Sequence, residues 1–89
     1  MKPTDQTGQW CIFYRKMTEP KVWYTMKLYR TDGVLVSAKT FDEVYKFTRY
    51  KEAFDFAKSL ITDDPNPKYD ATVKRVCRKG KTGFYLSGN

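Results

Sequence analysis

The stretch from residue 21 to residue 30 reads Lys21-Val22-Trp23-Tyr24-Thr25-Met26-Lys27-Leu28-Tyr29-Arg30, and its side chains alternate in character. Successive side chains of a β-strand point to opposite sides of the sheet, so this strand would carry two faces. One face holds core-type side chains, namely Val22, Tyr24, Met26 and Leu28. The other interleaves cations with large rings, namely Lys21, Trp23, Thr25, Lys27 and Tyr29. Because lysines neutralise phosphate and rings stack on bases, the second face favours a nucleic-acid ligand. The structural alternative is a helix or second sheet that covers this face, with the lysines at its rim.

The segments around this strand predict a meander of antiparallel strands. A first strand over Trp10 to Lys16 would turn Trp10, Ile12 and Tyr14 to one side, and Cys11, Phe13 and Arg15 to the other. We expect residues 17–20 to form a hairpin connection, since Pro20 has no N–H donor for a central strand. The Asp32-Gly33 pair is a strong hairpin signal and precedes a third strand over residues 34–39. A short extended piece is expected over residues 44–47.

The hydrophobic period then changes to that of a helix. Apolar residues recur at helical spacing at Tyr50, Ala53, Phe54, Ala57, Leu60 and Ile61, with Phe56 on the flank. We expect Thr48 to cap this helix and the stripe to pack on the face that carries Val22, Tyr24, Met26 and Leu28. The prolines at 65 and 67 end the helix. A long strand over residues 69–78, a turn over 80–83 and a short return strand over 84–86 follow.

These elements predict the α+β class, with an antiparallel meander of four or five strands and one amphipathic helix packed on one face. Residues 1–8 are expected to form a flexible tail, and residues 9–89 a single domain, because 89 residues suffice for one core.

The composition favours an anionic partner. The chain has 17 Lys and Arg against 10 Asp and Glu, a formal net charge of +7. Such an excess attracts polyanions over long range, although it could also serve only solubility. The N-terminus has no signal-peptide pattern, and no stretch is apolar enough to span a membrane. We therefore expect a soluble, cytoplasmic protein in which Cys11 and Cys77 are free thiols.

The residue types that enzymes need are scarce. The chain has no histidine, which removes the commonest general base and the commonest transition-metal ligand. The run Gly80-Lys81-Thr82 resembles the end of a phosphate-binding loop, but Arg75 stands where that motif needs glycine. We expect no enzyme activity, no cofactor and no metal site.

The basic residues gather near the C-terminus. From Ala71 onwards there are five cations and no acid. Alternation would turn Thr72, Lys74, Val76 and Arg78 to the solvent side, beside the cationic face of residues 21–30. The alternative is an edge strand whose cations prevent aggregation. The predicted nucleic-acid-binding residues are Arg15, Lys21, Trp23, Lys27, Tyr29, Lys74, Arg78, Lys79 and Lys81.

Residues 10–60 resemble the DNA-binding domains, built of a three-stranded sheet and a helix, at the N-termini of tyrosine recombinases. Those domains open with a Trp-led strand rich in Tyr, Arg and Lys, as Trp10-Cys11-Ile12-Phe13-Tyr14-Arg15-Lys16 does here. They enter the helix through Phe-x-Thr-x-x-Glu-Ala, which Phe47, Glu52 and Ala53 match, whereas Arg49 stands in place of the threonine. The resemblance implies a sheet face in a DNA major groove, with Arg15, Lys21, Trp23 and Lys27 as contacts. In size, basicity and aromatic content the chain also resembles small bacteriophage accessory proteins.

Two functions remain open. The first is a small non-enzymatic protein that binds DNA or RNA through the basic, aromatic sheet face. The second is a small phage-type inhibitor that docks on a host protein such as a nuclease, a toxin or a nucleic-acid-processing enzyme. Trp, Tyr and Arg are enriched in protein–protein hot spots as well, so composition alone does not separate the two.

Overall fold

The computed structural model describes residues 7–63 and 65–87. They form an antiparallel sheet with one helix packed on one side. The strands run in the order β3-β2-β1-β5-β6, and β4 pairs with the first part of β1. The predicted α+β class is therefore confirmed. The elements are β1 (Thr7–Lys16), β2 (Glu19–Tyr29), β3 (Leu35–Ser37), a 3₁₀ turn (Phe41–Glu43), β4 (Phe47–Arg49), α1 (Tyr50–Thr62), β5 (Tyr69–Lys79) and β6 (Gly83–Ser87).

The N-terminal boundary differs from the prediction. Strand β1 begins at Thr7, so the last two residues of the expected tail belong to the sheet. Residues 1–6 lie outside the described part of the chain. Of the helices in that part, none is long and apolar enough to cross a membrane.

Strand β1 lies at the centre of the sheet and follows the predicted alternation. Trp10, Ile12 and Tyr14 face the helix and are buried in the main core. The intervening side chains point to the opposite side, which we call the outer face. Register pairs place Phe13 beside Thr25 of β2 and Thr72 of β5 on this face.

Two irregularities in β2 break the simple alternation expected there. Lys16 pairs with Glu19 and Arg15 pairs with Trp23, so residues 20–22 have no partner in β1. This bulge accommodates Pro20, which cannot donate to a ladder, and it leaves Val22 exposed rather than in the core. The second irregularity lies between Met26 and Leu28 in the pairing with β3.

Beyond the second irregularity, the predicted faces of Leu28 and Tyr29 at the end of β2 are wrong. Tyr29 does not share the outer face with Trp23, because its ring contacts Phe56 of α1 edge-on at 5.6 Å. Leu28, expected in the core, is exposed. The following turn is as predicted: Gly33 has a φ of 86°, and its N–H donates to the Arg30 carbonyl at 3.0 Å.

The helix is also rotated relative to the prediction. Thr48 lies in β4, and the N-cap is Arg49, which makes no side-chain capping hydrogen bond. The helix buries Ala53 and Ala57, whose small side chains allow close approach to β5 and β1. Phe56, expected on the flank, packs on the main core, whereas Phe54 is 45% exposed.

A second, smaller core lies on the outer face. The connection from β3 to β4 crosses that face as residues 38–46, which we call the bridging segment. It covers one end of the face and explains why Val76, predicted on the solvent side, is buried. This core consists of Cys11, Phe41, Val44 and Val76, with Ala38, Phe84 and Leu86 packed against it.

The helix register predicts a clear difference between Phe54 and Phe56, which lie on different sides of α1 because they are two residues apart. Phe56→Ala removes contacts with Phe47 and Tyr29 and should lower the free energy of unfolding by about 2–3 kcal/mol. Phe54→Ala should cost less than about 1 kcal/mol, because that ring is half exposed and, within the described part of the chain, its aromatic contact is with Tyr50. Urea unfolding followed by circular dichroism measures both; a larger loss for Phe54→Ala would contradict the register.

The two cysteines are free, as predicted, and they differ in environment. Cys11 is fully buried in the outer-face core, and burial raises the pKa of its thiol to about 12. Since the thiolate is the reactive form, native-state treatment with iodoacetamide should modify the partly exposed Cys77 first and leave Cys11 unmodified. Peptide mass spectrometry before and after unfolding checks this; equal labelling of both thiols in the native protein would contradict it.

Candidate nucleic-acid interface

The open half of the outer face carries a stacked pair of aromatic rings. Phe13 and Trp23 lie on neighbouring strands with ring centroids 4.9 Å apart and an angle of 14° between the ring planes. Trp23 is 37% exposed, which is high for so large an apolar side chain. Thr25, the register partner of Phe13 on β2, is buried at 6% exposure.

Arg15 is fixed beside this pair. It lies opposite Trp23 in the register, and its guanidinium carbon is 5.0 Å from the centroid of the indole. Its Nε donates to the Asp70 carboxylate at 3.0 Å, and Nη2 lies 2.9 Å from the same oxygen. Arg15 is therefore well positioned on the face, but a carboxylate balances its charge.

Two lysines near the stacked pair carry no such partner. Lys74 lies next to Cys11 in the register between β1 and β5 and is half-buried on the outer face. Lys21 is exposed in the bulge at the start of β2. Among residues 7–63 and 65–87, neither forms an ion pair with a carboxylate. Their charges are free to meet an external anion.

The covered half of the face places two predicted cations against the bridging segment. Lys27 lies 3.7 Å from the carboxylate of Glu43. Arg78 lies 3.2 Å from the carboxylate of Asp42, and its guanidinium carbon is 4.4 Å from the centroid of the Phe41 ring. In the free protein both side chains therefore hold the bridging segment on the sheet.

The side chain of Glu43 also holds the backbone of that segment in place. Its carboxylate accepts hydrogen bonds from the backbone N–H groups of Lys39 at 2.8 Å and Thr40 at 3.3 Å. These bonds, the one to Lys39 foremost, hold the pKa of Glu43 below its ordinary value, and the nearby Lys27 adds to the effect. The carboxylate thus stays ionised at neutral pH and fixes the start of the 3₁₀ turn.

The turn between β5 and β6 presents two more predicted cations. Lys79 and Lys81 are exposed on either side of Gly80, which has a φ of 67°. Alternation along β5 puts Lys79 on the helix side of the sheet, whereas Arg78 points to the outer face. The turn therefore extends the basic character beyond the edge of the outer face.

The structure brings together six of the nine predicted residues and separates three. The outer face gathers Arg15, Trp23, Lys27, Lys74 and Arg78, with Lys21 at its margin. Tyr29 lies on the opposite face, and Lys79 and Lys81 lie at the turn. The prediction omitted Phe13 and the carboxylates that pair with the cations, namely Asp42, Glu43 and Asp70. Phe13 could have been found from the sequence, because alternation along β1 places it on the same face as Arg15.

A second candidate site lies on the helix side, where the sheet divides between β2 and β4. An apolar cleft of about 310 Å³ opens there, and the half-exposed rings of Tyr29 and Tyr45 flank it. Tyr29 meets Phe56 edge-on and Tyr45 meets Phe47 edge-on, and the tilted rings of Phe47 and Phe56 lie 5.8 Å apart between them. The cleft is lined by Met26, Leu28, Tyr29, Tyr45, Phe47 and Phe56.

Comparisons with known proteins do not identify a family. No family model, curated protein or solved structure matches the chain. The resemblance to recombinase DNA-binding domains therefore stays a prediction. Within the described residues, no group of three or more Cys, Asp or Glu side chains is placed to hold a metal ion.

Proposed function

We propose that this chain is a small non-enzymatic nucleic-acid-binding protein that contacts its ligand through the open half of the outer face. The observation that supports this most directly is the stacked pair of the half-buried Phe13 and the exposed Trp23 near Lys21 and Lys74, which form no ion pair within the described residues. Phosphate contacts would come from the lysines, and the exposed part of the ring pair would stack on bases.

The arrangement of the pair favours binding because it is already ordered. Phe13 stacks on the indole of Trp23, and the guanidinium of Arg15 lies over the same ring. A ring held in this way loses little conformational entropy when a base packs against it. The formal charge of +7 adds long-range attraction to any polyanion. Either DNA or RNA satisfies these contacts.

The aromatic cleft supports the second candidate function, docking on another protein. Leu28, Tyr29 and Tyr45 are all exposed around one apolar cleft, and clustered exposed apolar side chains often mark interaction sites. A small inhibitor would use such rings as anchors in a partner's pocket. Because the cleft is on the helix side, this function does not require the outer face.

The proposed function is tested by fluorescence anisotropy with labelled single- and double-stranded oligonucleotides over a range of salt concentrations. The wild-type protein should bind, and the logarithm of its binding constant should fall linearly with the logarithm of salt concentration. Lys74→Glu should weaken binding about tenfold and reduce the salt slope by about 1, because it removes one phosphate contact.

Lys58→Glu is the matched control for this variant. It makes the same change in charge on the exposed side of α1, away from the outer face, and should have a much smaller effect. If the wild-type protein binds no oligonucleotide at low salt, nucleic-acid binding is ruled out and the cleft becomes the leading candidate. If both variants weaken binding equally, the attraction depends on total charge and the outer face is not the binding site.

A further inference from the structure

Three of the cations on the outer face form ion pairs with carboxylates of the protein itself. Asp70 pairs with Arg15, Glu43 with Lys27, and Asp42 with Arg78. A phosphate that binds any of these cations must replace a carboxylate or share the cation with it. The three carboxylates therefore oppose the ligand that the proposed function requires.

The three differ in how readily they can be replaced. Glu43 is held by two backbone N–H groups, and Asp70 accepts two contacts from Arg15 on one oxygen. Asp42 has a largely exposed side chain, and within the described residues its carboxylate contacts Arg78 alone. Asp42 is thus the carboxylate that a ligand can displace without disturbing the backbone.

Arg78 would keep its position after such a displacement. Its guanidinium lies over the ring of Phe41, and Nη1 donates to the backbone carbonyl of Lys81 at 2.8 Å. Only Nη2 is directed to Asp42, at 3.2 Å. A phosphate oxygen could therefore take the place of the carboxylate oxygen while the other two contacts hold the guanidinium, which suits phosphate well.

We propose that Asp42 is a built-in competitor for phosphate at Arg78 and so lowers the affinity of the outer face for nucleic acid. This inference rests on the proposed function and concerns its regulation. In the free protein Asp42 is paired with Arg78, and a phosphate of the ligand contacts Arg78 only by displacing the Asp42 carboxylate. A ligand that supplies phosphates both at Lys74 and at Arg78, as a nucleotide chain does, overcomes the competition more readily than a single phosphate.

The test compares two aspartates that have similar ion pairs. Asp42 lies 3.2 Å from Arg78, and Asp55 lies 3.2 Å from Lys51 on the exposed side of α1. Asp42→Asn and Asp55→Asn each remove one negative charge and keep the size of the side chain. Anisotropy titrations of a 5′-labelled single-stranded oligonucleotide, repeated at several salt concentrations, give the affinity and salt slope of each variant.

Asp42→Asn should tighten binding about two- to fivefold, the range that an exposed ion pair contributes. Its salt slope should become steeper by up to about 0.7, because Arg78 then neutralises a phosphate in every complex and not only in those where Asp42 has been displaced. Asp55→Asn should leave the slope unchanged and tighten binding less. Asp42→Ala should behave like Asp42→Asn, which separates loss of the carboxylate from any effect of the new amide.

Three results would overturn the inference. If Asp42→Asn and Asp55→Asn give the same affinity and slope, only net charge matters, and the proposed function survives while the inference does not. If both Asp42 variants weaken binding, the carboxylate supports the face and does not compete with the ligand. If the wild-type protein and all variants fail to bind, both the inference and the proposed function are wrong.

Discussion

The two-sided packing of β1 is the constraint on which the rest of the structure depends. This strand pairs with β2 and β4 along one edge and with β5 along the other, so it cannot move without breaking the sheet. On the helix side it supplies Trp10, Ile12 and Tyr14 to the main core. On the outer face it supplies Cys11 to the second core, and Phe13 and Arg15 to the candidate interface. One strand thus links the stability of the fold to the geometry of the site.

The bridging segment gives the outer face its division into two halves. Its Phe41 and Val44 bury Cys11 and Val76, and the backbone N–H of Phe41 donates to the Thr82 carbonyl at 2.8 Å. The same segment brings its acidic residues to the basic side chains of β2 and β5. Covering the apolar end of the face therefore also reduces the positive charge there, and the ring pair at the other end stays open. Shape and charge on this face have a common origin in one crossing connection.

The sequence was sufficient where a local rule decides the structure. Alternation in β1, the Asp32-Gly33 turn and the period of α1 each depend on neighbours in the chain, and each predicted element is present. The predictions failed where distant contacts decide. The bulge around Pro20 leaves Val22 exposed; beyond the irregularity after Met26, Leu28 is exposed and Tyr29 lies on the helix side. Periodicity placed Phe54 in the apolar stripe and Phe56 on its flank, whereas the packing of Ala53 and Ala57 turns Phe56 to the core and leaves Phe54 half exposed.

The candidate site shows the same limit. Cationic and aromatic residues on alternate positions of β1, β2 and β5 could be found from the sequence, and five of them share the outer face. Their ion pairs with Asp42, Glu43 and Asp70 could not, because these partners come from a connection and a strand far away in the chain. Alternation assigns a side chain to a face, but it does not reveal a segment that crosses that face.

The most direct test of the account is a titration of the ¹⁵N-labelled protein with a single-stranded oligonucleotide, followed by backbone amide chemical shifts. Binding at the open half of the outer face predicts the largest shift changes around the ring pair and its neighbours on β5, namely at Phe13, Arg15, Trp23, Thr72 and Lys74. The amides of α1 should change little, since the helix lies on the other side of the sheet. Changes concentrated around the cleft at Tyr29, Tyr45 and Phe56, or no changes at any oligonucleotide concentration, would contradict the account.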